Sequence, residues 1–170
     1  MLRQESREVL RHSDSYTRLE HLIGLAWTMD MGDWLGVFGE LWSGCENIGA
    51  HADELLEETP FGDLADDPGA WREFMMTQAE RDYLQALPEV VTVYRGCYVN
   101  NKRGLSWSLD VKVAESFPAL WRYRQPGQAL LLRAEVDQHE IMAVKLDREE
   151  TEVIALRPKI RSIRHLSTAS

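Results

Sequence analysis

Apolar residues follow two rhythms along the chain, and the change comes at Pro88. Before it, Leu19, Leu22, Ile23 and Ala26 recur at the i, i+3, i+4, i+7 spacing of an amphipathic helix. Trp34, Val37, Phe38, Leu41 and Trp42 continue that period, as do Leu55 and Leu56. The segments Thr59–Asp63 and Asp66–Gly69 read as turns. Asp67 is placed to cap, and Pro68 to open, a helix predicted from Ala70 to about Leu87. The stripe Trp71, Phe74, Met75 and Tyr83 on that helix reads as core packing.

After Pro88 the period shortens. Val90-Val91-Thr92-Val93-Tyr94 is a β-branched run of the kind found in buried strands. Strands are predicted at Leu105–Leu109, Ala129–Val136, Ile141–Leu146 and Thr151–Leu156. Lys159–Arg164 alternates basic and apolar residues, as a charge-guarded edge strand does. Asp110 is a good N-cap for a helix whose Val111, Ala114 and Phe117 share a face. The tail from Ser167 reads as frayed. The expected fold is α+β: a helical N-terminal region, 1–88, packed on a mixed β-sheet core, 89–170.

Composition narrows the class. A chain of 170 residues supports one full core, and 44 % apolar with 28 % charged residues is ordinary for a globular protein. No apolar run approaches the length of a membrane span, and the first residues are too polar for a signal peptide. Two cysteines, Cys45 and Cys97, lack CxxC spacing, and the five histidines are scattered. The expectation is a cytoplasmic, reducing compartment, with no metal site and no membrane partner. Delivery into another cell fits as well. The net charge of −9 is uneven: residues 1–88 hold 18 acids and 6 bases, a balance of −12, and residues 89–170 hold 10 acids and 13 bases, a balance of +3. The acidic half would repel nucleic acid, which makes that partner an unfavoured expectation.

Three short motifs carry candidate chemistry. Tyr94-Arg95-Gly96 ends the first strand with a permanent cation, whose planar fork suits phosphate, beside a residue that lets a ligand approach the backbone. Ser106 and Ser108 share one face of the next strand, and hydroxyls there can hold a ribose or support a carboxylate. Glu150 and Glu152 stand two residues apart at the start of an apolar strand, which would put both carboxylates on one face. Paired acids repel each other, but a site that must stabilise a cation and take up a proton gains from them.

In this order, strand–Arg–Gly, Ser-x-Ser followed by a helix, and Glu-x-Glu opening an apolar strand, residues 90–156 resemble the arginine–serine–glutamate class of ADP-ribosyltransferases. The resemblance implies a mono-ADP-ribosyltransferase with NAD as substrate and no metal. It implies that Arg95 binds an NAD phosphate, that the Gly96 backbone holds the nicotinamide carboxamide and that Phe117 packs on nicotinamide. Ser106 would orient Glu152, and Ser108 would support the strand and cofactor. Glu152 would stabilise the sugar cation, and Glu150 would accept the proton of the nucleophile. A Glu at position 150 leans toward a protein arginine as acceptor. Trp107 stands where Thr is common, on the face opposite the serines. The loop Lys145–Glu149 lacks an aromatic residue that many relatives use to contact protein substrates. A toxin, a phage effector and a housekeeping modifier all fit. The alternatives are transfer to nucleic acid or a small molecule, and a non-catalytic binding protein on a degenerate transferase fold, docking through acids such as Glu54, Glu57, Glu58, Asp63, Asp66 and Asp67.

Overall fold

A computed structural model describes residues 3–147 and 150–167. Two units divide between Arg81 and Asp82, seven residues before the change at Pro88 and inside a helix.

The first unit is helical: α1 (Gln4–His12), α2 (Arg18–Gly24), α3 (Met31–Leu41), α4 (Ala52–Glu58), α5 (Pro60–Asp66), α6 (Pro68–Met75) and the start of α7 (Gln78–Ala86). Its centre is α3, where Trp34, Leu35, Val37, Phe38 and Leu41 are all buried. Asp30 caps α3 by accepting from the Gly32 N–H at 3.0 Å. Phe38 lies between Trp34, Trp42 and Phe61, with ring centroids 5.0–5.5 Å away. Edge and tilted contacts of this kind add to the burial of the rings themselves. Gly39 admits α6: a Cβ there would lie 2.2 Å from the Met75 carbonyl oxygen. Of the spacing read for α2, Leu19 and Leu22 are buried and Ile23 is half-buried, while Ala26, also buried, lies past the end of the helix.

Two expected features of this unit differ. The segment from Thr59 to Asp63 is no turn but the start of α5, because Thr59 caps it and Pro60 fits its first position. The single helix expected over 70–87 is two. Met76 is extended (φ −116°, ψ 146°) and ends α6. Thr77 and Glu80 then exchange a capping pair, the Thr77 N–H to Glu80 Oε2 at 2.8 Å and the Glu80 N–H to Thr77 Oγ1 at 3.3 Å. The break splits the aromatic stripe: Met75 is buried, while Phe74 and Tyr83 are 41 % and 38 % exposed. Asp67 and Pro68 open α6 as expected.

The second unit carries one six-stranded sheet: β1 (Val90–Tyr98), β2 (Ser106–Ser108), β3 (Ala129–Asp137), β4 (Ala143–Lys145), β5 (Glu152–Ile154) and β6 (Lys159–His165), in the order β4-β5-β2-β1-β3-β6. Every pairing is antiparallel, so the expected mixed sheet is corrected. The helix between β2 and β3, α8 (Val111–Ser116), leads into β3, which returns antiparallel against β1. Asp110 caps α8 by accepting from Lys112 N–H at 2.7 Å. The edge strand β6 is exposed along its length, and a register shift opposite Arg133 and Ala134 lets Ile160 and Ile163 face the same side. The apolar face of β1 and β3, with Val91, Val93, Leu130, Leu132, Ala134 and Val136, is buried. Among the described residues no helix is long and apolar enough to cross a membrane.

Candidate active site

The sheet register brings the three motifs together in the second unit. Ser108 pairs with Glu152 on one side and Tyr94 on the other. Glu152 pairs with Lys145, and Tyr94 with Arg133. Lys145, Glu152, Ser108, Tyr94 and Arg133 thus form one row across five strands, and directly opposed residues project to the same face. The Glu152 carboxylate is flanked in that row by a buried lysine and a buried serine. Sequence reading missed Lys145, because an isolated lysine in a short apolar strand gives no signal of what it opposes.

The expected partner of Glu152 shifts by two residues. Ser106 pairs with Ile154, so Ser108, not Ser106, stands opposite Glu152. Ser106 lies diagonally, on the same face. Ser108 also works locally: its hydroxyl donates to the Asp110 carbonyl at 3.1 Å and accepts from the Asp110 N–H at 3.0 Å, which turns the chain into α8. Trp107 is buried on the other face opposite Val153, its Nε1–H donating to the Gly104 carbonyl at 3.1 Å, as its alternation predicts.

Arg95 has the alternation opposite to this row, yet its guanidinium is drawn toward β2. Nη1 donates to the Ser106 carbonyl at 2.9 Å and Nη2 to the Asn101 carbonyl at 3.3 Å. Gly104 makes room for it: a Cβ there would lie 2.2 Å from Arg95 Cζ. Nε is buried without a hydrogen-bond partner. Burial holds the Arg95 pKa below its ordinary value, while Cys97 and Glu152 act in the opposite direction. An arginine stays cationic regardless. Arg95 is therefore a half-buried cation bridging the β1–β2 connection, in the field of Glu152, with its Nε unpaired.

Gly96 has a packing reason for being glycine. A Cβ would lie 1.9 Å from the Ala114 carbonyl oxygen and 2.7 Å from Pro118 Cδ, so the end of α8 rests on the bare backbone. Phe117 follows α8, half-buried, its ring 5.4 Å from that of Tyr123. Cys97 is buried and its thiol is pushed up by that burial, which suits a core residue better than a nucleophile.

Glu150 and Thr151 precede β5, so the same-face rule reaches Glu152 and Ile154 but does not extend to Glu150. Glu150 is half-buried, and its N–H approaches the Asp147 carbonyl at 3.5 Å. Arg148 and Glu149 of the preceding loop lie outside the described residues. At the other end of β3, donor atoms of Asp137, His139 and Glu140 lie within 4.8 Å of one another and could hold a cation. Asp137 and Glu140 also border a depression with Val90, Glu135, Lys159 and Arg161. Compared with known proteins, the chain matches no family model, no curated protein and no solved structure.

Proposed function

We propose that the chain is an NAD-dependent mono-ADP-ribosyltransferase whose acceptor is an arginine side chain of a protein. The observation that carries this reading is the register: Ser108 opposes Glu152, while Arg95 from the next strand grips the carbonyl of Ser106. Residues far apart in sequence thus put a carboxylate, hydroxyls and a cation within one small part of a sheet. Breaking the nicotinamide–ribose bond leaves positive charge on the sugar, and a fixed carboxylate lowers that barrier electrostatically. Glu152 supplies that charge. Glu150 takes the proton as a guanidinium nitrogen forms the new bond to the sugar. Arg95 supplies the permanent cation that meets a phosphate of NAD.

One observation favours a second reading. Both Nη groups of Arg95 are engaged by backbone carbonyls, and the space beside Gly96 is filled by α8, so both residues have structural duties. A non-catalytic binding protein on a transferase-like sheet would keep them for folding alone. Incubation with labelled NAD and a cell lysate, followed by mass spectrometry, separates the two. The transferase reading expects ADP-ribose on arginine side chains; intact NAD and no adduct would leave only the binding protein.

A further inference from the structure

Three segments meet at the end of the sheet where β1 stops and β3 begins. The Tyr98 hydroxyl donates to the Pro118 carbonyl at 2.7 Å, and Val99 N–H to the Gln128 carbonyl at 3.3 Å. Leu166 N–H donates to the Ala129 carbonyl at 2.9 Å, and Gln128 Nε2 to the Leu166 carbonyl at 2.9 Å. These bonds gather residues 96–104, 117–128 and 163–167. Together the three segments hold Lys102, Arg103, Arg122, Arg124, Arg164 and His165, and no Asp or Glu. Arg164 is ion-paired with Glu115 of α8. Arg103, Arg122 and Arg124 are exposed. Among them Trp121 is 82 % exposed, beside Tyr123, over whose ring the Arg122 guanidinium lies at 5.1 Å.

Trp121 is the most exposed of the large apolar side chains described, so a core role does not account for it. We propose that this end of the sheet binds single-stranded nucleic acid, with Trp121 as a stacking platform and Lys102, Arg103, Arg122 and Arg124 along the phosphates. A segment-wide absence of acids fits a polyanion. The exposed ring points to a single strand, because a duplex hides the faces of its bases. None of its contact residues is among those assigned to NAD, although the 96–104 segment also carries Asn101 and Gly104, which hold Arg95. The chain's net charge of −9 opposes binding, so the local arrangement must prevail over it, most readily at low salt.

The test is fluorescence anisotropy of fluorescein-labelled oligodeoxythymidylate with the full chain across a salt series. Four phosphates neutralised on a single strand give a log–log salt slope of about −3. Trp121→Ala should weaken binding by about tenfold, the usual scale for one stacked base, while Trp121→Phe retains most of the affinity. Arg103→Glu with Arg124→Glu should flatten the slope, with near-ultraviolet circular dichroism unchanged. Absence of binding at low salt overturns the proposal. So does an affinity indifferent to Trp121→Ala, or equal competition by inorganic polyphosphate, either of which would reduce the surface to a general polyanion contact. Preference for an acidic peptide over the oligonucleotide overturns it as well.

Discussion

Replacing Gly96 by alanine tests how α8 is held against the sheet. The new Cβ would sit 1.9 Å from the Ala114 carbonyl oxygen, whereas real Cβ contacts essentially never fall below 3.0 Å. The end of α8 must therefore retreat by at least 1.1 Å, the difference between those values. The obstacle is backbone, so no rotamer change relieves it. Overpacking of this kind costs up to about 3 kcal/mol. Alanine also restricts the unfolded chain and returns about 0.4–1 kcal/mol. The net loss is about 2 kcal/mol, which for a chain of this size lowers Tm by about 4–8 °C. Differential scanning calorimetry of Gly96→Ala reads it directly. Gly24→Ala is the control, because nothing lies within 4 Å of its added Cβ, and its Tm should stay level or rise. If Gly96→Ala melted with the wild type, the contact between α8 and β1 would be wrong, and with it the packing reason for Gly96.

Four other outcomes follow from the same contacts. Trp107→Ala should cost about 3–5 kcal/mol in urea unfolding, since it empties a buried site and frees the Gly104 carbonyl. Gly104→Ala should displace the Arg95 guanidinium and weaken NAD binding by calorimetry, even though the charge is retained. Arg95→Ala should weaken NAD by roughly tenfold or more, the scale of one lost charge-assisted hydrogen bond; equal affinities would remove Arg95 from the site. Burial pushes the Cys45 thiol up from 9.0 to about 11. The folded state then holds the Cys45 proton more tightly than the unfolded state, so this contribution is complete below pH 9 and is lost as pH rises toward 11. Urea titrations should show Cys45→Ala losing less stability than wild type over that range.

The strands were legible where one face is buried over several residues. Val90–Tyr94 and Ala129–Val136 announce themselves by β-branched and apolar runs, and both lie inside strands of nine residues. Helix starts with a capping side chain, at Asp67 and Asp110, were equally plain. The break at Met76 was missed because its signal, Thr77 with Glu80, sits inside an unbroken helical period. Antiparallel order was hidden because it depends on where β3 returns, which no local pattern encodes. The same limit applies to the site. Arg95, Ser106, Ser108 and Glu152 could be named from sequence, but their register could not, and two residues separate the expected Ser106 contact from the observed Ser108 neighbour. Arg95 donates to backbone carbonyls, and the space it fills is left by Gly104, so neither partner has a side-chain signature.

In the proposed transferase, Glu152 stabilises the sugar cation and Glu150 serves the acceptor. NAD hydrolysis and ADP-ribose transfer should be measured on the same preparations of wild type, Glu152→Gln and Glu150→Gln, with thermal melts to confirm folding. Loss of one preorganised electrostatic stabiliser costs about 100–1,000-fold in rate. Glu152→Gln should lose both activities by that factor, and Glu150→Gln should lose transfer by a similar factor while keeping measurable hydrolysis. Full transferase activity in a folded Glu152→Gln protein would contradict the account.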